Sequence, residues 1–145
     1  MSQLREETMD VMSELTVELG QQFSAGSKRV SLTPVRTAVL HELSVRGNQR
    51  LTQLCEAMAM SPQQVSVLVD ALVERGLVSR TRDPEDGRAV LIDLTDEGRE
   101  TSAVIARMRV GVAERLLGQF DEDELVTLRD LIHRVLMQAR NMREA

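Results

Sequence analysis

Hydrophobic positions along the chain keep two different rhythms. Between residues 62 and 75, Val65, Leu68, Val69, Leu72 and Val73 recur at helical spacing and form a stripe to be buried, while Gln63, Ser66, Val67 and Asp70 share the opposite face. Just before them, "LTQLCEAMA" places Leu51, Leu54, Cys55 and Met58 at i, i+3, i+4 and i+7, which predicts a short helix over 52–59 with Thr52 as its cap. Thr33-Pro34 and Ser61-Pro62 each set a capping residue before proline, so helices are expected to begin near 34 and 62. Gly47 and Gly76 stand where helix C-terminal caps belong. The second rhythm is strand-like: "LVSRTR" and "AVLIDL" flank "DPEDG", a turn with proline and Asp-Gly signals.

The two ends carry longer helical patterns. Leu125, Leu128, Ile132, Val135, Ala139 and Met142 alternate steps of three and four, a seam of the kind that packs on another helix, with Asp121 as N-cap and Glu124 three residues on. Leu4, Met12, Leu15, Leu19 and Phe23 repeat the idea at the start of the chain. Thr95 caps a third segment through Val104, Ile105, Met108, Val112 and Leu116, with Asp96 and Glu97 suited to the dipole of its first turn. These seams exceed what 145 residues can cover, so a homodimer is expected, the alternative being a monomeric bundle.

In chain order, helix 52–59, a turn of about three residues, helix 62–75 and a hairpin make a helix-turn-helix with a wing. The expected fold class is therefore mainly α (α+β): a winged helix-turn-helix lobe over 33–95 between terminal dimerisation helices 1–26 and 96–145, in a single domain over 1–145.

Net charge first complicates this picture and then supports it. At −5 the chain looks unsuited to phosphate. Residues 27–82, however, hold eight basic and four acidic side chains, whereas 1–26 hold one and five, and 83–145 nine and fourteen. Only the middle is basic, as a DNA-binding lobe requires. The lone Cys55 excludes an internal disulfide, lies on the apolar stripe of its helix and reads as a structural thiol. Two histidines and that cysteine assemble no metal site, and no cofactor is expected. No nucleophile-base pair or phosphate loop points to an enzyme. Without an 18-residue apolar run or a basic leader, the chain is expected to be cytoplasmic and off the membrane.

The candidate chemistry lies on the helix that opens with "SPQQVSVLV". Gln63 can bond bidentately to adenine, Ser66 can contact several bases, and Val67 can touch a thymine methyl. Ser61 and Gln64 form a capping box around Pro62, and the N-terminus they define presents amide N–H groups to phosphate. Arg88, near the wing tip, can enter a minor groove, and Arg80 and Arg82 can meet phosphates. Ser-Pro-x-Gln also begins many helices that meet no nucleic acid. A winged helix can equally serve as a protein-protein interaction module, which the acidic ends would suit.

Residues 51–100 resemble the core of the MarR family, the multiple antibiotic resistance regulators. Arg75-Gly76-Leu77-Val78, Asp83-Pro84-Glu85-Asp86, Arg88, Leu94-Thr95 and Gly98 carry the resemblance. It implies a homodimeric winged-helix transcription factor, mostly repressors in that family, that binds double-stranded DNA at an operator. Residues 61–67 would read the major groove and Arg88 the minor groove. It also implies a small-molecule effector, of which this chain's two phenylalanines and absent Trp and Tyr give no further definition. Two positions depart from the pattern: many relatives carry arginine at the place of Gly87 and a basic residue at that of Ala71.

Overall fold

The computed structural model describes residues 2–144; Met1 and Ala145, which the expected terminal helices include, lie outside the described residues. Along the chain come α1 (Ser2–Arg29), α2 (Pro34–Arg46), β1 (Gln49–Arg50), α3 (Leu51–Met58), α4 (Pro62–Glu74), β2 (Val78–Arg82), β3 (Val90–Leu94), α5 (Asp96–Leu117) and α6 (Glu122–Glu144). Two compact units divide between Met108 and Arg109.

The first unit is organised around one core. Val39, Leu40 and Leu43 of α2, Leu54 of α3, and Val65, Val69 and Leu72 of α4 meet Leu77, Val78, Ile92 and Leu94 of the hairpin and Ile105 of α5. Val73 was expected in the buried stripe of α4 and is instead 40% exposed. At about 100° per residue it lies roughly 80° around the helix from Val65, on the rim of the stripe. Cys55 is half-buried against the core.

Local chemistry sets the helix ends. Thr33 Oγ1 accepts from the Arg36 N–H at 3.4 Å ahead of Pro34, and the Gly47 N–H returns to the Leu43 carbonyl at 2.9 Å with φ +80°. The α3 boundary differs from expectation: Thr52 lies inside the helix, which begins one residue earlier with Arg50 in the cap position. There the Arg50 N–H donates to Gln53 Oε1 at 2.8 Å, and the strand pairing of Arg50 with Leu91 holds the cap extended. At the far end, Ala59 takes the left-handed conformation, φ 54°. Its N–H reaches the Glu56 carbonyl and that of Met60 the Cys55 carbonyl, the double closure of a Schellman turn. A Cβ is unfavourable there, so Ala59→Gly is expected to raise stability by about 0.5–1 kcal/mol in denaturant titration. The same turn ends α4 with its favoured residue: Gly76 has φ +71° and donates to Val73, and Leu77 donates to Leu72.

The sheet is antiparallel, in the order β1-β3-β2, with Arg80 opposite Ile92 and Arg82 opposite Val90. Two residues of β1 add a third strand that the sequence reading had not included.

In the second unit, Asp121 Oδ1 accepts from the Glu124 N–H at 2.8 Å and Glu124 Oε2 from the Asp121 N–H at 3.0 Å, the capping box expected for α6. Leu125 and Leu128 are half-buried, but Leu131, Ile132, Val135 and Met142 are exposed. Considered by itself, α1 likewise leaves Leu4, Met9, Val11 and Val17 exposed. No helix among the described residues is long and apolar enough to cross a membrane.

Candidate nucleic-acid interface

Helix α4 presents the residues singled out for base reading. Ser61, Pro62, Gln63, Gln64 and Val67 are exposed and Ser66 is half-buried. The capping box closes: Ser61 Oγ accepts from the Gln64 N–H at 3.3 Å and Gln64 Oε1 from the Ser61 N–H at 3.1 Å. Gln64 is thereby tied to the helix start, whereas the Gln63 side chain makes no hydrogen bond among the described residues. Val67, 66% exposed, is an apolar side chain that nothing in the protomer covers.

The arginines sort into two states. Arg82 and Arg88 are exposed, and neither guanidinium makes an ion pair among the described residues. Arg80 is held: its Nη1 lies 2.8 Å from Asp70 Oδ1, and its Nη2 donates to Ser66 Oγ at 3.3 Å and to the Ser66 carbonyl at 3.4 Å. An arginine of β2 is thus fastened to the outward face of α4.

The wing is anchored by a pair that sequence reasoning did not single out. Arg50 donates from Nε and Nη2 to Asp83 Oδ2, each at 2.7 Å, with Asp83 buried. Asp83 Oδ1 accepts from the Glu85 N–H at 2.9 Å, and Asp86 Oδ1 from the Arg88 N–H at 3.1 Å. The turn 83–89 is then closed by the Asp83 N–H on the Ala89 carbonyl at 3.0 Å. These bonds leave the Arg88 side chain at the tip with its backbone fixed.

The Glu85 N–H above all, helped by the Arg50 guanidinium and opposed by burial, holds the Asp83 carboxyl below its ordinary range. A depressed carboxylate pKa contributes stability that is complete above the unfolded value of about 3.9 and is lost as pH falls through the folded value. The stability advantage of wild type over Asp83→Asn should therefore shrink below about pH 4, as measured by chemical unfolding across pH.

At the base of the wing, Thr95 Oγ1 donates to the Gly76 carbonyl at 2.6 Å and accepts from the Gly98 N–H at 3.0 Å, while the Thr95 N–H donates to the Leu77 carbonyl at 3.1 Å. Threonine capping and a glycine three residues later join α5 to the end of α4.

A capped, outward-facing second helix followed by a rigid hairpin defines a winged helix-turn-helix protein. A family model described as MarR family matches residues 30–89. The HTH-type transcriptional regulator YkoM of Bacillus subtilis is 32% identical over 105 residues, 70% of this chain and 68% of that protein. The chain belongs to the MarR family of transcriptional regulators. The HTH-type transcriptional repressor MdtR of B. subtilis is 27% identical over 99 residues, covering 68% of this chain and 64% of MdtR, so the match spans somewhat under two thirds of that relative. Among solved structures, a mutant MarR from E. coli complexed with operator DNA shares the fold with a TM-score of 0.76 at 20% identity, over 88% of this chain and 91% of that one.

Proposed function

We propose that the chain is a sequence-specific regulator of transcription, a repressor that binds double-stranded operator DNA as a homodimer in the cytoplasm. The observation that carries this reading is the pairing of an exposed reading face on α4 with two uncommitted wing arginines, Arg82 and Arg88, inside the basic middle of the chain. Supporting it, the fold is shared with a MarR protein complexed with operator DNA. The name of MdtR supports repression in particular.

In this reading Gln63, Ser66 and Val67 meet base edges in the major groove, and the Ser61–Gln64 cap delivers the N-terminus of α4 to a phosphate. Arg88 enters the adjacent minor groove, and Arg82 meets the backbone. Two copies related by a two-fold axis require a pseudo-palindrome with half-site centres about 10 base pairs apart. A small-molecule effector would release DNA by preferring another spacing of the two α4 helices, which requires different affinities for the two arrangements.

Selection of bound fragments from a genomic library by the purified protein tests this reading. Enrichment of a pseudo-palindrome with that spacing is expected; a folded protein that enriches nothing would overturn it. Two substitutions then separate the roles. Arg88→Ala should weaken all duplexes and flatten the salt dependence, whereas Gln63→Ala should relax preference at one base position by about 1–3 kcal/mol.

A further inference from the structure

Helix α4 carries two carboxylates on the face that would meet DNA, Asp70 and, at its C-terminal end, Glu74, and Asp70 has a partner reaching in from the wing. Asp70, whose side chain is 62% exposed, holds Arg80 Nη1 at 2.8 Å. The same guanidinium covers Ser66, touching its hydroxyl at 3.3 Å and its carbonyl at 3.4 Å. A half-exposed ion pair of this kind contributes little to folding. It changes what a duplex encounters: a negative charge directed at base edges, and a cation drawn away from the phosphates.

We propose that Asp70 is a specificity-determining residue, which withholds Arg80 from the DNA backbone and so suppresses binding to duplexes of any sequence. This rests on the DNA-binding reading above. A freed Arg80 could swing to a phosphate, a contact indifferent to sequence, and each such contact steepens the logarithmic salt dependence by about 0.9. The Asp70 carboxylate itself accepts only where a base presents an amino group, as cytosine does at N4, and elsewhere repels phosphate and base acceptors alike. Asp70 thereby weakens all binding and weakens wrong binding more.

The test compares wild type, Asp70→Asn, Arg80→Gln and the double variant. Each is titrated across a salt series onto a duplex recovered by the fragment selection and onto a scrambled duplex of equal composition. Asp70→Asn should bind the scrambled duplex about tenfold more tightly, with a salt slope steeper by about one, and should lose operator preference. Adding Arg80→Gln should return the slope to that of wild type. A folded Asp70→Asn with unchanged slope and preference would overturn the proposal, and so would equal weakening on both duplexes, which marks a structural role. Arg88→Ala separates the two readings: if it weakens binding while Asp70→Asn changes nothing, only the role of Asp70 falls. If folded wild type binds neither duplex, the DNA reading falls and this one with it.

Discussion

Gly98→Ala is expected to cost about 3 kcal/mol or more and to lower the melting temperature by about 10 °C, a large effect for one methyl group. A Cβ built at Gly98 runs into the Leu77 carbonyl oxygen and comes within 2.9 Å of the Leu77 carbonyl carbon, with Leu94 Cδ2 at 3.3 Å on another side. The two Leu77 atoms are backbone and cannot give way cheaply. The Leu77 carbonyl accepts from the Thr95 N–H, and the Leu77 N–H is fixed to Leu72 by the turn that ends α4. Thr95, in turn, grips Gly76. Relief would therefore require α5 to move away from the junction of α4 and the wing. Gly87 is the internal control, since a Cβ there meets nothing within 4 Å and its φ lies outside the left-handed region. Thermal unfolding of the two alanine variants checks the claim: a Gly98→Ala protein as stable as Gly87→Ala would show that the joint yields.

That joint gives the physical content of the Leu94-Thr95 and Gly98 motif, and it shows which kind of feature a sequence reveals. Features built by residues close together in the chain were legible. The caps at Thr33, Ser61–Gln64 and Asp121–Glu124, the glycine ending α4 and the hairpin all follow from side chains reaching backbone groups within a turn or two. The family resemblance and the placement of α4 before the wing rested on the same local order. Features joining distant segments were not legible. Arg50 and Asp83 are 33 residues apart, and no spacing rule connects them. Asp70 and Arg80 are nearer in sequence, yet their contact depends on how β2 leaves the α4 turn, and the sequence suggested for Arg80 only a phosphate contact. The two-residue β1 is too short to alternate; it exists because Leu91 and Ile92 offer it an edge. Thr52 was a sound cap by type, displaced because the Gln53 side chain accepts from the Arg50 N–H and so sets the cap at Arg50. For the candidate site, exposure of Gln63 and Val67 followed from helical period, whereas the commitment of Arg80 to Ser66 and Asp70 required the fold.

Ile132→Asp is expected to leave α6 helical and to abolish the proposed homodimer, and with it most of the proposed DNA affinity. Ile132 is 53% exposed in the protomer, so a carboxylate there need not disturb the chain's own fold. Leu131, Val135 and Met142 are also exposed, more apolar surface along one helix than scattered surface residues account for. In a two-fold interface the substitution occurs on both sides, so the partner helices would bring two carboxylates into a seam that is otherwise apolar, at a desolvation cost. Losing the second protomer removes the gain of engaging two half-sites at once, about 10²- to 10⁴-fold in affinity. Sedimentation velocity and duplex titration at fixed salt read the two consequences separately. Arg88→Ala should give the complementary result, with the proposed dimer retained and binding weakened by the loss of the proposed minor-groove contact. An Ile132→Asp protein that still sedimented as a dimer would place the interface elsewhere, since an apolar seam that accepts an unpaired charge is not being buried.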